Sequence, residues 1–121
     1  MAEELLPMSR KLVGALIAAR KSEDRDTHQR FEQIFQEYLE ECETRGTQPS
    51  RWWTDFLRGL ANGEKIIELF DKLKIIPYKM GILNVTQRLN LIGCPNEFLE
   101  ELKKETEQEL ETTEPVFTKV I

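Results

Sequence analysis

The chain has 121 residues, of which 40% are apolar and 32% charged, and its net charge is −5. That is one domain's worth of sequence, able to hold a core without metal or disulfide staples, and too apolar for a disordered polymer. No apolar run approaches the roughly 20 residues that span a bilayer, and the negative balance disfavours nonspecific attraction to nucleic acid or anionic lipid.

The first expected element is a helix from about Met8 to Arg20, opened by Ser9 or the Pro7 turn, with Leu12, Val13, Leu16 and Ile17 on its buried side. Its "KLVGALIAAR" stretch has the basic flank and apolar body of a targeting signal. Glu3 and Glu4 precede it, however, so it reads as a helix instead. In "THQRFEQIFQEYLEECETRG", Phe31, Ile34, Phe35, Tyr38, Leu39 and Cys42 recur at helical spacing, which predicts a second helix with one continuous apolar stripe. Asp26 or Thr27 can cap its start, and Gly46 can end it. A third helix follows "TQPS" with Ser50 as its cap and Trp53, Phe56, Leu57 and Leu60 on one face. "ANG" ends it. "EKIIELFDKLK" gives a fourth, through Ile66, Ile67, Phe70 and Leu73, which stops before Pro77 because the residue ahead of a proline avoids the helical region.

"GILNVTQRLNLIG" fits two patterns. Ile82, Val85, Leu89 and Ile92 have helical spacing, while Leu83, Val85, Leu89 and Leu91 fit a strand, which leaves an α+β alternative with a hairpin near 75–92. Helix is the reading adopted, because a lone hairpin would need a sheet partner. The last helix is expected over about Asn96 to Glu111, after Pro95, with Phe98, Leu99 and Leu102 buried. Residues 112–121, "TTEPVFTKVI", are expected as an extended C-terminal tail. The whole is a single all-α domain over 1–121, a compact bundle of five or six helices.

The sequence offers little for catalysis. His28 is the only histidine, placed at the top of the second helix's stripe, where a boundary role is expected. Cys42 and Cys94 have no ligand spacing and read as reduced thiols, which fits a cytoplasmic or nuclear protein. The carboxylates of "EYLEECE" and "EFLEELKKE" recur at helical spacing, yet the Glu-x-x-His motifs of a two-metal bundle site are missing. No phosphate-binding glycine motif occurs either. No enzyme activity, metal or cofactor is therefore expected.

Charge is more informative. From Lys72 to Cys94 the charged residues are Lys72, Lys74, Lys79 and Arg88, with no acid between them. Read as helix-turn-helix, this segment would expose Thr86, Gln87, Arg88 and Asn90 to base edges, but its connection is long and four cations neutralise few phosphates. Opposite in sign is the glutamate-rich stretch from Asn96 to Glu114, which includes Glu100 and Glu101. Unlike surfaces of this kind suit head-to-tail self-association or a protein partner.

"SRWWTDFLRGL" places two tryptophans side by side. Trp53 joins the buried stripe; Trp52 points elsewhere, and with Arg51 beside it and Asp55 one turn on it makes a candidate partner-binding cluster. A tryptophan at the boundary of the core, laid across a neighbouring helix, is the other reading of the same position. In "ECETRGTQPSRWWTDFLRGLANGEKIIELF", the residues Glu43, Arg45, Gly46, Trp52, Trp53, Phe56, Leu57, Leu60, Ile66 and Phe70 form a pattern that resembles caspase-recruitment domains. The resemblance implies a six-helix death fold that polymerises through charged surfaces, although the chain ahead of the second helix is too short for the three helices the family would place there. The expectation drawn from all of this is a non-enzymatic helical protein interaction module. Its alternatives are a nucleic-acid binder using the basic 72–90 segment and a death-fold-like adaptor or inhibitory subunit.

Overall fold

The structure, a computed structural model, describes the backbone of residues 2–120 and the side chains of residues 8–111. Among the described residues it contains no strand and six helices: α1 (Ala2–Arg20), α2 (Arg25–Thr44), α3 (Arg51–Ala61), α4 (Ile66–Leu73), α5 (Tyr78–Leu91) and α6 (Asn96–Val120). The all-α bundle expected from the sequence is the fold, and the hairpin alternative near 75–92 is replaced by α5. In packing, α1 meets α2 and α3, while α6 lies against α4 and α5. The contact of α3 with α4 joins these two groups.

Several element ends differ from expectation. The first helix starts at Ala2 rather than Met8, so Pro7 and Ser9 lie within it, and Ser9 is buried. The cap of α2 is Asp24 instead of Asp26 or Thr27: its carboxylate accepts from the Asp26 amide at 3.4 Å and the Thr27 hydroxyl at 3.0 Å. Thr27 is thereby a donor to the cap and cannot serve as one. Gly46 follows α2 at φ 71°, a left-handed value that glycine reaches without steric cost. Ser50 has the extended backbone of a cap for α3, but its side chain makes no cap hydrogen bond. Residues 112–120, expected as extended, continue α6 as helix. Side chains of that segment lie outside the described residues.

Burial follows the apolar periodicity. Phe31, Phe35, Phe56, Phe70, Leu16 and Leu60 are among the fully buried side chains, and Leu69 joins Ile66 and Phe70 where Ile67 had been expected. A file of rings crosses the core from Trp52 to Trp53, Phe56, Phe70 and Tyr78, with successive centroids 5.7, 5.8, 6.0 and 6.2 Å apart. Offset and edge-on spacings of this kind add to plain area burial.

Polar groups tie the two helix groups together. Arg20, at the end of α1, is almost entirely enclosed and donates to the carbonyls of Leu60 and Glu64 at 2.9 and 3.1 Å and to Glu105 of α6 at 2.9 Å. Within the second group, Glu109 of α6 accepts from the Ile67 amide at 2.9 Å and so caps the start of α4, whose own cap position, Lys65, has no acceptor to offer.

Candidate functional site

Helix α5 carries two apolar faces. Gly81, Val85 and Leu89 are buried against the bundle, and Gly81 permits a close approach, since a Cβ there would stand 2.7 Å from a methyl of Ile75. On the other side Met80, Leu83, Gln87 and Leu91 recur at i, i+3, i+7 and i+11 and form an outward stripe. Leu83 is 52% exposed, Met80 55% and Leu91 78%, and Ile76, just ahead of the helix, is 75% exposed. These four are the exposed large hydrophobics among the described residues, and all fall between 76 and 91. Single exposed apolar residues are ordinary on a protein surface; their gathering on one helix is not.

Cations rim the stripe. Lys74 and Lys79 are exposed and make no ion pair among the described residues. Arg88 lies over the Trp52 ring at 4.8 Å and the Trp53 ring at 5.5 Å, which holds its guanidinium at the edge of the stripe. On the α6 side, Lys79, Ile82, Leu83, Lys103, Thr106, Glu107 and Leu110 line a groove of about 300 Å³. The two lysines stand on either side of a mainly aliphatic floor.

The residues singled out from sequence do not all converge. Arg51 and Asp55 are exposed, yet Arg51 lines a hollow against the end of α2 with Glu40 and Glu43, while Asp55 lines another against α4 with Lys72. Trp52 is half-buried and packs edge-on to Trp53, the boundary position that was the second reading of it. Its cationic neighbour is Arg88 of α5. Of the charged residues expected at an interface, Lys72 approaches Glu64 at 3.8 Å, Glu100 approaches Lys103 at 3.5 Å and Glu101 approaches Lys21 at 3.5 Å. Thr86, expected on an exposed recognition face, is buried and donates to the Ile82 and Leu83 carbonyls at 2.7 and 3.0 Å, because it sits on the core side of α5 beside Val85.

The groups considered for catalysis are occupied structurally. The His28 ring nitrogen Nε2 lies 2.7 Å from the Ser22 carbonyl. Both thiols are buried and free, and burial pushes the Cys94 thiol up to about 11. The hydrogen bond from the Tyr78 hydroxyl to the Asp71 carboxylate raises the phenol above its ordinary value. Among the described residues no three metal-ligating side chains gather.

The chain matches no protein-family model, no curated protein and no solved structure. The stripe was missed because "GILNVTQRLNLIG" fits both periods, and the structure gives the reason: core residues and outward leucines share one helix. That double fit was the available signal, since a core-packed helix with apolar residues left over has a second face to cover.

Proposed function

We propose that this protein is a non-enzymatic helical interaction module whose principal contact surface is the outward face of α5, extended at one side by the Arg88–Trp52 corner. The observation that carries this reading is the exposed stripe of Met80, Leu83 and Leu91, set opposite the residues that α5 buries in its own bundle. An apolar centre with a polar, cationic rim is the usual anatomy of a protein contact. The half-buried tryptophan held beside an arginine adds the two residue types that most often dominate such contacts. Occupied His28, a buried protonated Cys94 and the lack of a ligand cluster among the described residues fit a role without catalysis. The nucleic-acid alternative has less support, since Thr86 is turned into the core and Arg88 is engaged by two indoles.

The test is a quantitative pull-down from the native source with the intact protein and with Leu83→Asp, which places a charge in the stripe at an exposed position. Specific protein partners should fall about tenfold or more in recovery with the variant. Unchanged recovery of every partner would refute the surface.

A further inference from the structure

We propose, building on that interaction reading, that the outward face of α5 and the adjoining α5–α6 groove receive an acidic amphipathic helix from a different protein. Three features define the occupant. The apolar floor, with Leu83 common to stripe and groove and Ile82 and Leu110 deeper in it, calls for aliphatic or aromatic anchors. Lys79, which makes no ion pair among the described residues, and Arg88 are the charged side chains of α5, and both call for carboxylates flanking those anchors; Lys103 across the groove is already paired with Glu100 at 3.5 Å. The 14 residues of α5 span about 21 Å, which matches about four turns of a partner helix laid alongside.

A second copy of this chain fits the same surface poorly. In a two-fold contact α5 would face α5, and Lys79 and Arg88 of one copy would approach the same cations of the other. In a head-to-tail contact the stripe would meet the acidic surfaces of α2 or α6, which offer no exposed large hydrophobic side chain among the described residues. Met80, Leu83 and Leu91 would then be set against carboxylates that lose water without gaining a partner. An anionic membrane is a weaker match as well: a flat surface meeting the stripe would also press on the exposed Glu97, Glu100 and Glu101 of α6, whereas a single helix laid along α5 need meet only the charges of α5 itself, and the stripe has no aromatic residue to seat among headgroups.

The experiment uses the full chain and two synthetic peptides of about four helical turns, with leucines at i, i+4, i+7 and i+11. One carries glutamates at the flanking positions and the other lysines. Fluorescence anisotropy should show saturable binding of the acidic peptide, at least about tenfold tighter than the basic one and weakened about tenfold by Leu83→Asp. Joint reversal by Lys79→Glu and Arg88→Glu should invert the preference between peptides. Met80→Asp, also exposed, serves as a second stripe variant, and circular dichroism establishes that each variant is folded. Equal binding of both peptides overturns the proposal. A dimer in sedimentation that Leu83→Asp dissociates, without acidic-peptide binding, overturns the partner class but leaves α5 as an interaction face. Leu83-dependent binding to phosphatidylserine vesicles without peptide binding overturns both readings, as does peptide binding indifferent to Leu83→Asp and Met80→Asp.

Discussion

At the scale of single residues, Trp52 shows how position on a helix sets the cost of a substitution. It cannot follow Trp53 into the core, and as a half-buried ring beneath Arg88 it is neither an inert surface residue nor a central one. Trp52→Ala should therefore cost about 1–2 kcal/mol in chemical denaturation, between a surface change and a core truncation. In a double-mutant cycle, Trp52→Ala and Arg88→Ala should couple by about 0.5–1 kcal/mol, as an exposed cation–π pair does; additive effects would show that the stacking has no energetic content. Cys94 makes a second prediction. Its folded pKa, about 11, lies above the ordinary thiol value, so the native state favours the protonated form. That contribution is complete below the unfolded pKa and is lost as pH rises towards the folded one. Stability should decline between about pH 9 and pH 11, by at most about 3 kcal/mol from this thiol. Tyr38, raised by burial, adds to the decline in the same direction. Urea titrations across this range should show a shallower fall for Cys94→Ala than for the parent chain. An equal slope would mean that the thiol is not desolvated.

At the scale of elements, the helices differ in how plainly their sequences announce them. The stripe of α2 was legible because Phe31, Ile34, Phe35 and Cys42 fall on one face with glutamates and glutamines around the rest. Helix α5 was ambiguous because residues that serve the bundle alternate with residues that face away from it, and period alone cannot separate two purposes on one helix. Long-range capping was not legible at all: nothing in the local sequence of α4 says that Glu109 supplies its missing acceptor. Arg20 was visible only as the end of a basic-flanked helix, although it binds the end of α3 through the Leu60 carbonyl, the following connection through the Glu64 carbonyl, and α6 of the other helix group through Glu105. Two glycines give a prediction of opposite signs. At Gly59 a Cβ would lie 2.1 Å from a methyl of the fully buried Leu69, whereas at Gly14 it would meet nothing within 4 Å. Gly59→Ala should destabilise by about 1–3 kcal/mol through overpacking between α3 and α4. Gly14→Ala should stabilise by about 0.5–1 kcal/mol through helix propensity and reduced unfolded-state entropy. Thermal unfolding of both variants checks the pair, and the same sign for the two would contradict the packing described at Gly59.

At the scale of the whole molecule, apolar periodicity was sufficient for the all-α class, and the short connections between periodic segments were sufficient for a bundle. The surface was harder to read, because exposure depends on which helices meet. Trp52 and Arg51, adjacent in sequence, turn to different neighbours, while Trp52 and Arg88, far apart in sequence, meet across α3 and α5. The resemblance to caspase-recruitment domains implied three helices ahead of the second predicted one, and only α1 stands there. No helix among the described residues is long and apolar enough to cross a membrane; under the proposal above, the apolar side chains left outside on α5 meet a protein partner. The most direct measurement is site-specific photo-crosslinking in the native source, with a photoreactive residue at position 83 in the stripe and, as control, at the exposed position 29 on α2. Discrete protein adducts should form from position 83 and be absent from position 29. Adducts in equal yield from both positions, or from position 29 alone, would contradict the assignment of the outward face of α5 as the interaction surface.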